Sequence, residues 1–254
     1  MLERRTVVKG LGALPLAGVL ADAGASAAVA ATLETVTLTT PGGRTVAAAL
    51  ARPATVPAAA VLLIHEFWGL NDQIKAVAAD LATAGYLALA ADLYNGAVET
   101  TPEAAKARMT AMDEAATRET LTAWIDWLRA NAALCTGKVA TLGWCCGGGW
   151  SLQTSLARPV EATVIYYGRV TDPAAKLAAL KGPVQGHFET RDHYITPAMA
   201  EGFKGEMAKA GKPLELYAYD ADHAFANPTG NNFHRDDAQL AWSRTLAFLA
   251  TNLK

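Results

Sequence analysis

Gly143-Trp144-Cys145-Cys146-Gly147-Gly148 is the stretch on which the fold turns. Behind it lies a short apolar run, Lys138-Val139-Ala140-Thr141-Leu142. Ahead of it a segment of helical character begins near Gly149. A strand, a tight turn and a helix, with G-x-nucleophile-x-G across the turn, form the elbow that lifts one side chain clear of the backbone at a strand end. Cysteine stands where serine is more usual. A side chain at Gly143 or Gly147 would run into the neighbouring strand or helix, so both positions must stay small. The following helix aims its N-terminus at Cys145, which favours a thiolate and offers N–H donors to an oxyanion. The structural alternative is a small-residue turn that simply buries a cysteine.

Working outward, residues 35–39 and 45–51 alternate like strands around the hairpin turn Pro41-Gly42-Gly43. Residues 58–64 and 86–91 are continuous apolar runs, as expected of strands covered on both faces. Helical spacing marks 73–84, 102–115 and 118–131, the last with Leu121, Trp124, Ile125 and Leu128 on one stripe. Beyond the elbow, a helix over 149–157 and a strand over 162–167 lead to a helix over 174–180 and a strand over 183–188. A helix over 197–210, a strand over 214–219 and a helix over 237–253 complete the chain. Strands alternating with helices predict an α/β protein: a mainly parallel sheet with helices on both faces, in one domain over residues 31–254.

Of 254 residues, 52% are hydrophobic and 18% charged, enough for a large core and too apolar for disorder. The net charge of -2, without a strong basic patch, makes nucleic acid a poor candidate for a partner. Residues 1–30 read as a twin-arginine signal peptide: Arg4-Arg5 in a charged start, a modest apolar stretch from Gly10 to Leu20, then Ala25-Ser26-Ala27 and Ala28-Val29-Ala30 as cleavage sites. The apolar stretch is too short to be a good membrane span. The expectation is a periplasmic or secreted protein, exported by the twin-arginine machinery and not held in a membrane once the leader is removed. Of three cysteines, Cys135 lies before the elbow strand, ~20 Å from Cys145 along an extended chain. A disulfide requires Cα atoms within about 7 Å. A vicinal Cys145–Cys146 bridge is the alternative that would remove the nucleophile.

Active groups of an open α/β sheet gather beyond the carboxyl ends of its strands. One such end carries Glu189-Thr190-Arg191-Asp192-His193 and another Asp220-Ala221-Asp222-His223. The order nucleophile, acid, histidine is that of α/β-hydrolases. A thiol is little ionised at neutral pH, so a histidine must take its proton and a carboxylate must fix the imidazole tautomer. Cys145, His223 and Asp192 are the candidates. The structural role open to Asp192 is a turn or N-cap before the helix over 197–210. Asp222 is adjacent to His223, too close to bend back to its ring, and reads as a loop residue. His65, His187, His193 and His234 lack metal-ligand spacing and no H-E-x-x-H occurs, so neither a metal nor another cofactor is expected.

The chain resembles the dienelactone hydrolase family from about residue 36 to its C-terminus. The resemblance rests on His65-Glu66-Phe67-Trp68-Gly69-Leu70-Asn71, Asp92-Leu93-Tyr94, the elbow, Tyr166-Tyr167-Gly168, Arg191-Asp192-His193 and His223-Ala224-Phe225-Ala226-Asn227. It implies an α/β-hydrolase fold and a Cys145-His223-Asp192 triad. It also implies that Glu66 pairs with the resting thiol and shares in its activation, and that the N–H groups of Phe67 and Cys146 bind the oxyanion. Dienelactone-cleaving relatives carry an arginine four residues after the catalytic histidine, gripping a substrate carboxylate; Asn227 stands there. Lys106 and Arg108 are the alternative cations, or else a solvated helix face. Trp68, Trp144 and Trp150 suggest an aromatic pocket beside the elbow.

The resulting expectation is a monomeric, cofactor-independent hydrolase that cleaves a small-molecule ester or lactone through a cysteine acyl-enzyme. A thiol redox protein using Cys145 and Cys146 is the first rival, but the chain lacks C-x-x-C. A non-catalytic small-molecule-binding module is the second, and a complete triad in the right order argues against it.

Overall fold

Ala58–Ile64 is buried along its whole length, as a continuous apolar run must be when helices cover both of its faces. It is the third strand, β3, of an eight-stranded sheet in the computed structural model, which describes residues 33–254. The leader expected over residues 1–30 lies outside the described residues. The other strands are β1 (Glu34–Thr39), β2 (Thr45–Ala51), β4 (Leu87–Ala91), β5 (Cys135–Trp144), β6 (Ala162–Tyr166), β7 (Val184–Glu189) and β8 (Leu214–Tyr219). They lie in the order β1-β2-β4-β3-β5-β6-β7-β8. The pairings β1–β2 and β2–β4 are antiparallel, and every later one is parallel. This is the expected α/β-hydrolase arrangement.

Seven helices follow the described strands: α1 (Asp72–Thr83), α2 (Pro102–Thr110), α3 (Glu114–Ala130), α4 (Cys146–Ala157), α5 (Ala174–Leu177), α6 (Pro197–Lys209) and α7 (Arg235–Leu253). Side chains of a strand alternate between faces, and the core divides accordingly. Val61 and Leu63 join Ile74, Val77 and Leu81 of α1 and Trp242, Phe248 and Leu249 of α7. Leu62 and Ile64 join Leu121, Trp124, Ile125 and Leu128 of α3. The break between α2 and α3 comes earlier than the spacing suggested. Asp113 caps α3 by accepting from Ala116 N–H at 3.0 Å, ending the preceding helix before residue 115.

The elbow is tighter than the sequence implied. Strand β5 runs to Trp144 and α4 starts at Cys146 rather than near Gly149, so Cys145 alone makes the turn. Its φ of 53° lies in the left-handed region, which costs a non-glycine residue free energy and persists only because the surroundings enforce it. Gly147-Gly148-Gly149 is poor helix material, yet close packing overrides propensity. A Cβ on Gly147 would collide with the carbonyls of Ile64 and His65, and one on Gly143 with the carbonyl of Gly147. We expect Gly147→Ala to destabilise the protein by about 3 kcal/mol, the overpacking regime, measured by urea unfolding. A loss below ~0.5 kcal/mol, the range of neutral surface changes, would contradict this packing.

Candidate active site

Four strand ends deliver the site. Cys145 follows β5, Glu66 and Phe67 follow β3, Asp192 follows β7 and His223 follows β8. Asp192 Oδ2 lies 2.6 Å from His223 Nδ1, and His223 Nε2 lies 3.3 Å from Cys145 Sγ. A carboxylate only accepts hydrogen bonds, so Nδ1 carries a proton and Nε2 is the nitrogen that faces the thiol. The other oxygen of Asp192 accepts the N–H groups of Tyr194, at 2.7 Å, and Ile195, at 3.0 Å. Asp192 therefore holds its own turn and the imidazole together, one oxygen for each, while Thr196 is the N-cap of α6. Asp222 is exposed and pairs with Arg191 at 3.2 Å.

Burial would raise the Asp192 carboxyl, but the bond to His223 and the two turn N–H groups hold it below its ordinary value. Burial would lower His223; its bonds to Asp192 and Cys145 prevail and push it up to about 10. The neighbouring Cys146 sulfur and burial push the Cys145 thiol well up, against the pull of His223. Cys145 and His223 thus stand in line to share one proton, with the imidazole fixed from behind by Asp192.

Glu66 departs from its expected partner. Its oxygens accept from Tyr167 Oη at 3.1 Å and from Asn227 Nδ2 at 2.6 Å, whereas the Cys145 sulfur faces His223. Burial raises the Glu66 carboxyl and the two donors oppose it. Asn227 is corrected with it. This residue is buried, its amide nitrogen is engaged by Glu66, and its oxygen accepts from Thr229. It therefore supports Glu66 rather than standing open to a substrate.

The expected aromatic pocket is not assembled. Trp144 packs against Tyr166 on the α7 side of the sheet, and Trp150 packs on the α3 side. The strand-to-helix reversal sends these neighbours to opposite faces. Trp68 alone remains in the site loop, against Phe67 with ring centroids 4.4 Å apart. Lys106 is exposed on α2, a helix that buries only Ala105. Arg108 pairs with Glu99 and lies 5.6 Å from the Tyr94 ring centroid. The N–H groups of Phe67 and Cys146 meet no protein acceptor among the described residues, which leaves both available to an oxyanion.

Three residues near the triad were given no role by the sequence reading. Tyr167, at φ 38°, bonds Glu66 and sets its ring edge-on to His223 at 5.2 Å. Tyr194, 77% exposed, flanks His223 at 5.4 Å. Glu189, the last residue of β7, accepts Ala224 N–H at 3.1 Å; burial and then Asp192 push its carboxyl up to about 9. A polar residue closing an otherwise buried strand was the available signal for Glu189. Donor atoms of Glu189, Asp192 and His223 lie within 4.8 Å of one another, but His223 Nδ1 is already held by Asp192.

Known proteins resemble this chain over most of its length. A model of the dienelactone hydrolase family matches residues 46–253. A putative carboxymethylenebutenolidase of Saccharolobus solfataricus is 30% identical over 82% of this chain and 94% of its own. A carboxymethylenebutenolidase of a Pseudomonas species is 31% identical over 82% and 91%, respectively. The crystal structure of a putative dienelactone hydrolase from Klebsiella pneumoniae superposes with a TM-score of 0.75 at 24% identity, covering 86% of this chain and 99% of that one.

Proposed function

This chain belongs to the dienelactone hydrolase family, and on that premise we propose that it cleaves a small-molecule ester or lactone through a thioester on Cys145. It is a hydrolase of ester or lactone bonds. The observation that carries the mechanism is the Asp192–His223–Cys145 chain, at 2.6 and 3.3 Å, standing at the carboxyl ends of three strands. His223 Nε2 takes the thiol proton as Cys145 Sγ attacks the carbonyl carbon. The N–H groups of Phe67 and Cys146 hold the developing oxyanion. The C–O bond breaks, His223 returns the proton to the departing oxygen, and a thioester remains. Water then attacks, giving its proton to His223. Collapse releases the acid, and Sγ recovers a proton. Buried Glu66, steadied by Tyr167 and Asn227, acts through the charge of His223. An activated ester should release its alcohol in a burst equal to the enzyme present and add one acyl group to Cys145, seen by mass spectrometry. Steady release without acylation would sink the thioester.

The substrate should be neutral near the scissile bond. No guanidinium stands at Asn227, and Arg108 is paired with Glu99. An anionic lactone would leave a buried charge without a partner. We expect kcat/KM for a neutral lactone to exceed that for a carboxylate-bearing dienelactone by about 10-fold or more, the scale of one charge-assisted contact. The reverse preference, abolished by Arg108→Ala, would identify Arg108 as a substrate-binding cation.

The paired arginines Arg4-Arg5 and the small-residue sites behind them support export by the twin-arginine route to the periplasm. Fractionation should recover the shortened chain there, and Arg4→Lys with Arg5→Lys should retain it in the cytoplasm. Intact leader on cytoplasmic protein alone would refute the export reading.

A further inference from the structure

His65 and the segment Asp92-Leu93-Tyr94 take no part in the triad, yet they meet behind it. His65 is 1% exposed and joins β3 to the loop of Glu66 and Phe67. Leu93 N–H points to His65 Nε2 at 3.3 Å. A main-chain N–H can only donate, so Nε2 accepts and the proton of the neutral ring lies on Nδ1. Burial keeps the ring neutral, lowering its pKa against the opposing effects of the Glu66 carbonyl and Asp92. Nδ1–H therefore donates to the main-chain oxygen of Glu66, at 2.6 Å. Gly69 N–H donates to the same oxygen at 3.3 Å.

That carbonyl shares a trans peptide with Phe67 N–H, and the two groups of a planar trans unit point in opposite directions. Fixing the oxygen fixes the donor. The far end of the strut is itself anchored. Asp92 accepts Tyr94 N–H at 2.9 Å and Gly96 N–H at 2.5 Å, which holds the loop that presents Leu93 N–H. The Tyr94 ring meets His65 edge-on at 4.8 Å and limits its rotation.

We propose that His65 is the positioning residue of the oxyanion hole, a single-tautomer imidazole that braces the Glu66–Phe67 peptide against the loop after β4. The proposal rests on the reading of Cys145 as acyl acceptor and Phe67 N–H as oxyanion donor. It separates two properties that loss of the fold would destroy together. Acylation by an ester builds an oxyanion. Alkylation by iodoacetamide displaces iodide from a saturated carbon and builds none, though both need the Cys145 thiolate.

The experiment compares wild type, His65→Asn, His65→Gln and His65→Ala in the full chain. It measures kcat and KM for an ester and, by peptide mapping, the rate of Cys145 alkylation. The asparagine amide nitrogen stands near the place of Nδ1 and can still donate to the Glu66 carbonyl. The glutamine amide nitrogen falls near Nε2 and cannot. We expect His65→Ala and His65→Gln to lose about 10- to 100-fold in kcat, short of the full loss of an oxyanion donor. KM and alkylation should stay within about twofold, and His65→Asn should recover most of kcat. Parallel loss of turnover and alkylation, equal loss in His65→Asn and His65→Gln, or unchanged kcat in His65→Gln would overturn the brace. If His65→Ala fails to fold, the asparagine–glutamine pair still decides. Wild type that alkylates readily but turns over no ester would overturn the hydrolase reading itself, and the brace with it.

Discussion

Cys145→Ala should reduce ester hydrolysis by about 10⁶-fold in kcat, the scale seen when a nucleophile is removed from an intact triad. The far-ultraviolet circular dichroism should not change, because alanine tolerates the elbow position no worse than cysteine does. Residual turnover would come from the two oxyanion donors and from substrate binding, neither of which needs the sulfur. Cys146→Ala is the matched control. Its sulfur lies 3.9 Å from the His65 carbonyl and raises the Cys145 thiol, so its loss should ease thiol ionisation, while its main-chain N–H is one that alanine also possesses. Activity should be largely kept. Equal inactivation of both variants, with both folded, would place the nucleophile wrongly.

His223→Ala and Asp192→Asn follow in size. Asparagine at 192 would present an N–H₂ or a neutral oxygen to the imidazole, and the tautomer that carries its proton on Nε2 would become competitive. A proton on Nε2 faces the sulfur and leaves no base, at a cost of about 10⁴-fold in kcat. His223→Ala should be at least as severe, and the double variant little worse than His223→Ala, because the pair acts as one unit. Stopped-flow acylation by an activated ester reads all three. Full activity in Asp192→Asn with loss in Asp222→Asn would transfer the acid role to Asp222, now tied to Arg191 on the surface.

The sheet was legible because its decisive signals are local. Seven apolar residues in Ala58–Ile64, too few for a buried helix, read as a covered strand, and the elbow glycines announce a contact that admits no side chain. The triad was legible because each member stands just beyond a strand, at a place the topology brings to one edge. Less of the surrounding shell could be read. Asn227 and Glu66 are 161 residues apart, and no spacing rule links an amide to a carboxylate over that distance. The side on which Trp144 and Trp150 fall depends on how sharply the chain reverses at Cys145, and the early start of α4 decided it. The interval between α2 and α3 was not legible because Ala111 and Met112 are good helix formers, while the capping side chain of Asp113 sets the boundary.

Cys145 owes its setting to a backbone conformation, φ 53°, that only the surrounding elements can impose. A chain released from the ribosome, or opened by heat, carries at that position a cysteine like any other, without a base beside it or donors around it. Hydrolytic power is therefore a reporter of native structure. No half-folded intermediate should be a sluggish enzyme, and a damaged molecule falls silent as it opens, before its reactive sulfur can act indiscriminately on its surroundings.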